Sequence, residues 1–185
     1  GGGSGTCLQT PEAAGLGEGW SDAFASWTEK TSAAVPDYYM VQWAANKPGG
    51  YRRFPYSTSR LVNPLLYSDL LLLNEPHDVG EVWANILHNV YALLVQTSGF
   101  SPTARTNASG NAGNVVFLHL FIDALQLQPC NPTFLNARDA WLAADQIRYG
   151  GAHGCVLWAA FASRGMGVGA ISFINSFVTP VGQQC

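Results

Sequence analysis

With 185 residues, 48% of them hydrophobic and only 11% charged, the chain can build one sizeable core, which excludes a disordered polymer. Net charge is −3 and the nine Lys and Arg residues are scattered, which excludes the clustered basic footprint of a nucleic-acid binder. The apolar runs are broken by polar residues within about ten positions, too soon to span a membrane.

In chain order, residues 1–6 read Gly-Gly-Gly-Ser-Gly-Thr, without the basic head or apolar stretch of a signal peptide, and 1–14 is expected to be a flexible Gly-rich start. Over 17–30, Trp20, Ala23, Phe24 and Trp27 recur at three- and four-residue steps and predict an amphipathic helix. Residues 46–68, rich in Gly, Pro, Ser, Tyr and Arg, have no period and read as a long loop of the kind that often carries function. After Pro76, a stripe of Val79, Val82, Trp83, Ile86, Leu87, Val90, Leu93 and Leu94 predicts the strongest helix, stopped by Gly99. Residues 102–113 are polar and expected to be exposed, and a helix should run over 114–128. Asn131 is read as the cap of a helix with Pro132 at its first position, burying Phe134, Trp141, Ala144 and Ile147 and ending at Gly150. A last helix is expected over 153–163, closed by Gly165, followed by an apolar tail from Gly167 that packs along the body. The fold class is mainly α, with scarce strand-like alternation and no internal repeat.

Cys7, Cys130, Cys155 and Cys185 lie far apart, without CxxC spacing, and point to two disulfides rather than a metal site. Spacing leaves all three pairings open. The favoured one is Cys130–Cys155, tying the loops before two successive helices, with Cys7–Cys185 anchoring both ends. The sequon Asn107-Ala108-Ser109 lies in a polar stretch and agrees with a secreted protein.

Glu18 and Asp22 are four residues apart, so a helix places both carboxylates on one face beside apolar residues. Such a pair is costly unless a cation meets it. One reading is a helix start that favours early acids through its dipole. The other is a metal ligand, Glu18, with an acid, Asp22, that orients a ligating histidine.

The segment Gly17-Glu18-Gly19-Trp20-Ser21-Asp22 resembles the third-ligand motif of the fungalysins, extracellular zinc metalloendopeptidases of fungi. The likeness continues through Trp43-Ala44-Ala45-Asn46-Lys47, Gly49-Gly50-Tyr51-Arg52, Pro55-Tyr56-Ser57-Thr58, Asn74-Glu75 with His77, and Val82-Trp83-Ala84. Leu127-Gln128-Pro129-Cys130-Asn131-Pro132-Thr133-Phe134, Ala137-Arg138-Asp139-Ala140, Ala160-Phe161-Ala162 and the terminal cysteine extend it along the whole chain. The resemblance implies the helical C-terminal lobe of a gluzincin, a thermolysin-like metallopeptidase. It also implies zinc as cofactor and a protein or peptide as substrate. It makes Glu18 the zinc ligand, Asp22 its neighbour that orients a histidine, and His77 a donor to the oxyanion that develops in the transition state. Arg52 would hold carbonyl or carboxylate groups, a role its neighbour Arg53 competes for. Against the bare residue pattern, His77 also reads as an ordinary histidine at a helix start.

The His-Glu-x-x-His motif, which in this family supplies two zinc ligands and the glutamate that activates water, does not occur in these residues. His88, His119 and His153 do not replace it: they read as a packed or exposed, a core and a helix-start histidine. Two functional readings follow. In the first, the chain is part of a zinc endopeptidase, inactive alone, whose partner is the N-terminal part of the same peptidase or a second copy. That reading predicts an apolar surface beside Glu18. In the second, it is a stand-alone, non-catalytic helical domain that kept the scaffold and binds a peptide or protein.

Overall fold

A computed structural model describes residues 5–181. Five α-helices form the body: α1 (Pro11–Glu29), α2 (Pro76–Ser98), α3 (Gly113–Leu127), α4 (Phe134–Tyr149) and α5 (Gly154–Ser163). A 3₁₀ turn, Tyr67–Leu72, lies in the long connection between α1 and α2. Among the described residues there is no strand, only isolated bridges such as Tyr38 to Tyr56, so the mainly-α expectation holds.

The helix starts follow from local chemistry. Thr10 caps α1 by accepting the Ala13 N–H at 3.2 Å, with Pro11 behind it, and Glu75 caps α2 by accepting from Asp78 N at 2.9 Å. α1 therefore begins six residues before the apolar period shows itself. Of the stretch expected to be flexible, residues 11–14 are helical and Cys7 is cross-linked, while 1–4 lie outside the described residues. The cap of α4 is Thr133, not Asn131: Asn131 sits at φ 52° and accepts the Gln9 N–H at 2.7 Å, tying the approach to α1 to that of α4. Gly150, at φ 64°, ends α4 in the left-handed region that glycine tolerates.

α1 and α2 cross at very short range because both present glycine at the contact. A Cβ on Gly15 would lie 2.1 Å from Val79 Cγ1, one on Gly19 2.5 Å from the Gly80 carbonyl oxygen, and one on Gly80 2.7 Å from Glu18 Cβ. Around this crossing stands a buried aromatic cluster. Trp20 meets Trp83 and Phe121 edge-on at centroid distances of 5.3 and 4.7 Å and stacks with Trp141 at 6.0 Å. α4 adds Phe134, Ala137, Trp141 and Ala144, and α5 adds Leu157 and Phe161. Ile147, expected in this face, is 72% exposed: one turn beyond Trp141, the inward position is taken by Asp145, which binds His153.

Cys7 is bonded to Cys130, not to Cys185, and the Cys130–Cys155 pairing is ruled out with it. The segment leading into α1 runs beside the α3–α4 connection, where the Asn131 N–H also donates to the Cys7 carbonyl at 3.2 Å, so these two cysteines are the ones brought together. Cys155 is itself disulfide-bonded, and Cys185 lies outside the described residues. The tail folds back as expected, Gly167 N donating to Ser176 O at 2.7 Å and Ser68 N to Asn175 Oδ1 at 2.9 Å.

Candidate metal-binding and catalytic site

The α1–α2 crossing brings three segments together: one face of α1, the loop 51–56 and the first turn of α2. Glu18 and Asp22 project from that face one turn apart, as their spacing requires. Asp22 is buried and met by a cation: Arg52 grips it as a fork, Nε on Oδ2 at 2.7 Å and Nη2 on Oδ1 at 3.0 Å. The Tyr56 hydroxyl donates to the same Oδ2. Burial opposes the Arg52 charge, but the Asp22 carboxylate more than offsets it and holds the guanidinium above its ordinary range. Burial first, and then the Asp22 charge, push Tyr56 well above the usual phenol range, so its hydroxyl stays a donor.

Glu18 is different. It is partly exposed, and His77 Nε2 stands 3.3 Å from its Oε2. The other ring nitrogen, Nδ1, is 2.7 Å from Glu75 Oε1. Glu75 thus does two jobs, one oxygen on the imidazole and the other on the helix cap. Its hydrogen bond, with the nearby Glu18 charge, raises the His77 pKa above the ordinary histidine value, and the same bond lowers that of Glu75.

The two neighbouring arginines part company. Arg53 turns to α2, where its Nε lies 2.8 Å from Glu81 Oε2, and the Phe54 N–H donates to Glu81 Oε1 at 2.6 Å. Glu81 is fully buried, and burial raises its pKa while Phe54 and Arg53 pull it back. Arg52 therefore faces the site and Arg53 holds the loop.

Glu18, Asp22, Arg52 and His77 come together in one place; Asn107 lies elsewhere, exposed in the 102–113 connection with the Ser109 N–H on its Oδ1 at 2.9 Å. The other histidines are accounted for separately. His119 meets the Tyr149 hydroxyl at 2.6 Å, His153 meets Asp145 at 2.7 Å, and His88 is buried. Sequence reasoning assigns no role to Tyr56, Glu75 or Glu81. A signal exists for Glu75, two residues before His77 and just ahead of a proline that opens a helix. For Tyr56 and Glu81 there is none, since their partners lie 34 and 27 residues away.

As a zinc site the cluster is one corner only. Among the described residues no group of three His, Cys, Asp or Glu side chains is placed to hold a metal ion. Glu18 offers a partly exposed carboxylate and Asp22 is already engaged, so the donor set present fits a zinc ion with one oxygen ligand and not with a full ligand set. Alongside, α1 and α3 open an apolar groove of ≈ 580 Å³ lined by Leu8, Gly17, Ser21, Phe24, Ile122 and Leu125; Glu18 is not among its lining residues.

A profile of the family described as fungalysin metallopeptidase (M36) matches residues 1–170. The chain belongs to the fungalysin family. Among its relatives, an extracellular metalloproteinase MEP of Pyricularia oryzae is 44% identical over 170 residues, 89% of this chain and 27% of that protein. An extracellular metalloproteinase mep of Aspergillus fumigatus is 43% identical over the same shares of each chain. Extracellular metalloproteinase 10 of Uncinocarpus reesii is 43% identical over 169 residues, 89% of this chain and 26% of that protein. This fungalysin chain thus spans about a quarter of the length of the curated relatives it matches. No helix among its described residues is long and apolar enough to cross a membrane.

Proposed function

We propose that this chain is part of an exported zinc metalloendopeptidase that hydrolyses peptide bonds in proteins. In this reading it supplies Glu18 as one zinc ligand, while the nitrogen ligands come from another segment of the same polypeptide. The observation that carries the reading is the joint placement of a partly exposed Glu18 carboxylate, a clamped Asp22 and a Glu75-paired His77 on one face. Bound zinc supplies Lewis acidity toward the scissile carbonyl. Asp22, held by Arg52 and Tyr56, orients an incoming histidine by accepting its N–H. His77, held through Nδ1 by Glu75, donates toward the oxygen on which charge develops, and Arg52 keeps Nη1, outside its fork to Asp22, for a substrate carbonyl. The groove is the seat of the preceding segment, whose docking would cover its apolar floor. The relatives are named extracellular, and we place this protein outside the cell as well, with Asn107 as a glycan acceptor.

Alone, the chain should bind no zinc and cleave no protein. In the full-length enzyme, Glu18→Ala should abolish zinc-dependent proteolysis, and His77→Ala should lower turnover by roughly a hundredfold with zinc retained. Elemental analysis and protease assays on the same samples decide it: activity surviving the first change, or zinc lost with the second, would sink the assignments. The groove also supports a second reading, a non-catalytic domain that holds a peptide or protein partner there. An isolated chain that is zinc-free but binds apolar peptides in the groove would favour it.

A further inference from the structure

The proton inventory around Asp22 is specific enough to assign one more residue. A carboxylate offers about four lone-pair positions, two on each oxygen. Oδ2 accepts from both Arg52 Nε and the Tyr56 hydroxyl, and Oδ1 accepts from Arg52 Nη2 alone. Among the described residues, then, Oδ2 is saturated and Oδ1 keeps one position for a further donor. Tyr56 cannot wander from this duty. It is 1% exposed, packs with Met40 and Ala84, and exchanges both backbone hydrogen bonds with Tyr38 at 2.9 Å. Its hydroxyl is a fixed donor, in the way a bulk water molecule is not.

We propose that Tyr56 is a positioning residue for the metal centre, filling Asp22 Oδ2 so that the histidine ligand supplied by another segment is received on Oδ1 alone. The inference rests on the reading of Glu18 as zinc ligand and Asp22 as the acid that orients a histidine. An acid with two free oxygens can take an imidazole N–H in two orientations. One with a single free position fixes the ring, and with it the direction of the coordinating nitrogen. Partners of this outer kind change metal affinity by roughly 10–100-fold when removed.

The test is zinc affinity, measured by chelator competition in the full-length enzyme. Tyr56→Phe keeps the ring and removes only the hydroxyl, and the expected result is about a tenfold weaker zinc affinity. Tyr91→Phe is the control, a similarly buried tyrosine whose hydroxyl has no hydrogen-bond partner among the described residues, and should leave affinity within about twofold of the parent. Because Tyr56 acts through Asp22, its effect should vanish when Asp22→Asn is already present. A general loss of packing would instead persist in that background. Tyr56→Phe with unchanged zinc affinity, or with the same loss beside Asp22→Asn, overturns the proposal. Glu18→Gln separates this from its premise. If that change removes zinc while Tyr56→Phe does nothing, the Tyr56 role alone falls. If Glu18→Gln binds zinc like the parent, the ligand assignment falls with it.

Discussion

At the residue scale the most exposed liability is a buried one. His88 is 4% exposed on α2, and neither ring nitrogen has a hydrogen-bond partner among the described residues. Burial, with Lys30 and Arg164 as the neighbouring charges, lowers its pKa from 6.5 to about 3. The sign is fixed by which state takes the proton first. The unfolded chain binds it near pH 6.5, whereas the folded chain refuses it until about pH 3, so the stability tied to neutral His88 is complete above 6.5 and drains away as the pH falls between those values. Urea midpoints at about pH 7 and pH 4.5 should therefore differ less in His88→Leu than in the parent. An apolar residue leaves nothing to protonate, and at neutral pH it should cost little, because no hydrogen bond is lost. Equal pH sensitivity in both proteins would refute this account. The shared face of Glu18 and Asp22 was legible in the sequence because helical spacing reports on neighbours one turn apart, whereas Arg52 and His77 were singled out only through the family resemblance. Tyr56 and Glu81 were not legible, because a hydroxyl or carboxylate that closes a contact across dozens of residues leaves no local trace.

At the element scale, the helices could be read wherever an apolar stripe ran against a polar face. α2 met its expected limits, from Pro76 to the stop at Gly99. What the pattern missed were the caps and the polar interior. Thr133 took the place assigned to Asn131, and buried Asp145 displaced the stripe that would have included Ile147. The α1–α2 crossing explains Gly15 and Gly19 on α1. It also couples packing to chemistry, since a Cβ on Gly80 would meet Glu18 Cβ at 2.7 Å and the backbone of Gly15 and Gly19 at 2.8 Å. None of the three can swing aside as a side-chain tip would. Gly80→Ala should force the helices apart, cost about 1–3 kcal/mol in denaturant unfolding and weaken zinc binding in the full enzyme. A variant of parental stability would show that the crossing has slack.

At the scale of the whole molecule, the Cys7–Cys130 bond is the contact that sequence spacing could not choose. It spans a separation of 123 residues, and removing it by Cys7→Ser with Cys130→Ser should cost about 4–5 kcal/mol if chain entropy dominates. Thermal unfolding of this double variant beside the parent, both without reductant, measures this, and a loss below about 1 kcal/mol would mean that the native contacts around Asn131 already hold the starts of α1 and α4 together. Both cysteines also stand on the rim of the apolar groove, beside Leu8 and Pro129. The bond is thus a clasp on the mouth of the groove as well as a staple between two helix starts. That gives maturation an order. In a newly made chain still in its reduced state, no covalent bond holds Cys7 and Leu8 against Cys130 and Pro129, so one wall of the groove lacks its fixed link. Oxidation then fixes the spacing of that wall, so the shape the groove offers to anything that docks there depends on the redox history of the chain.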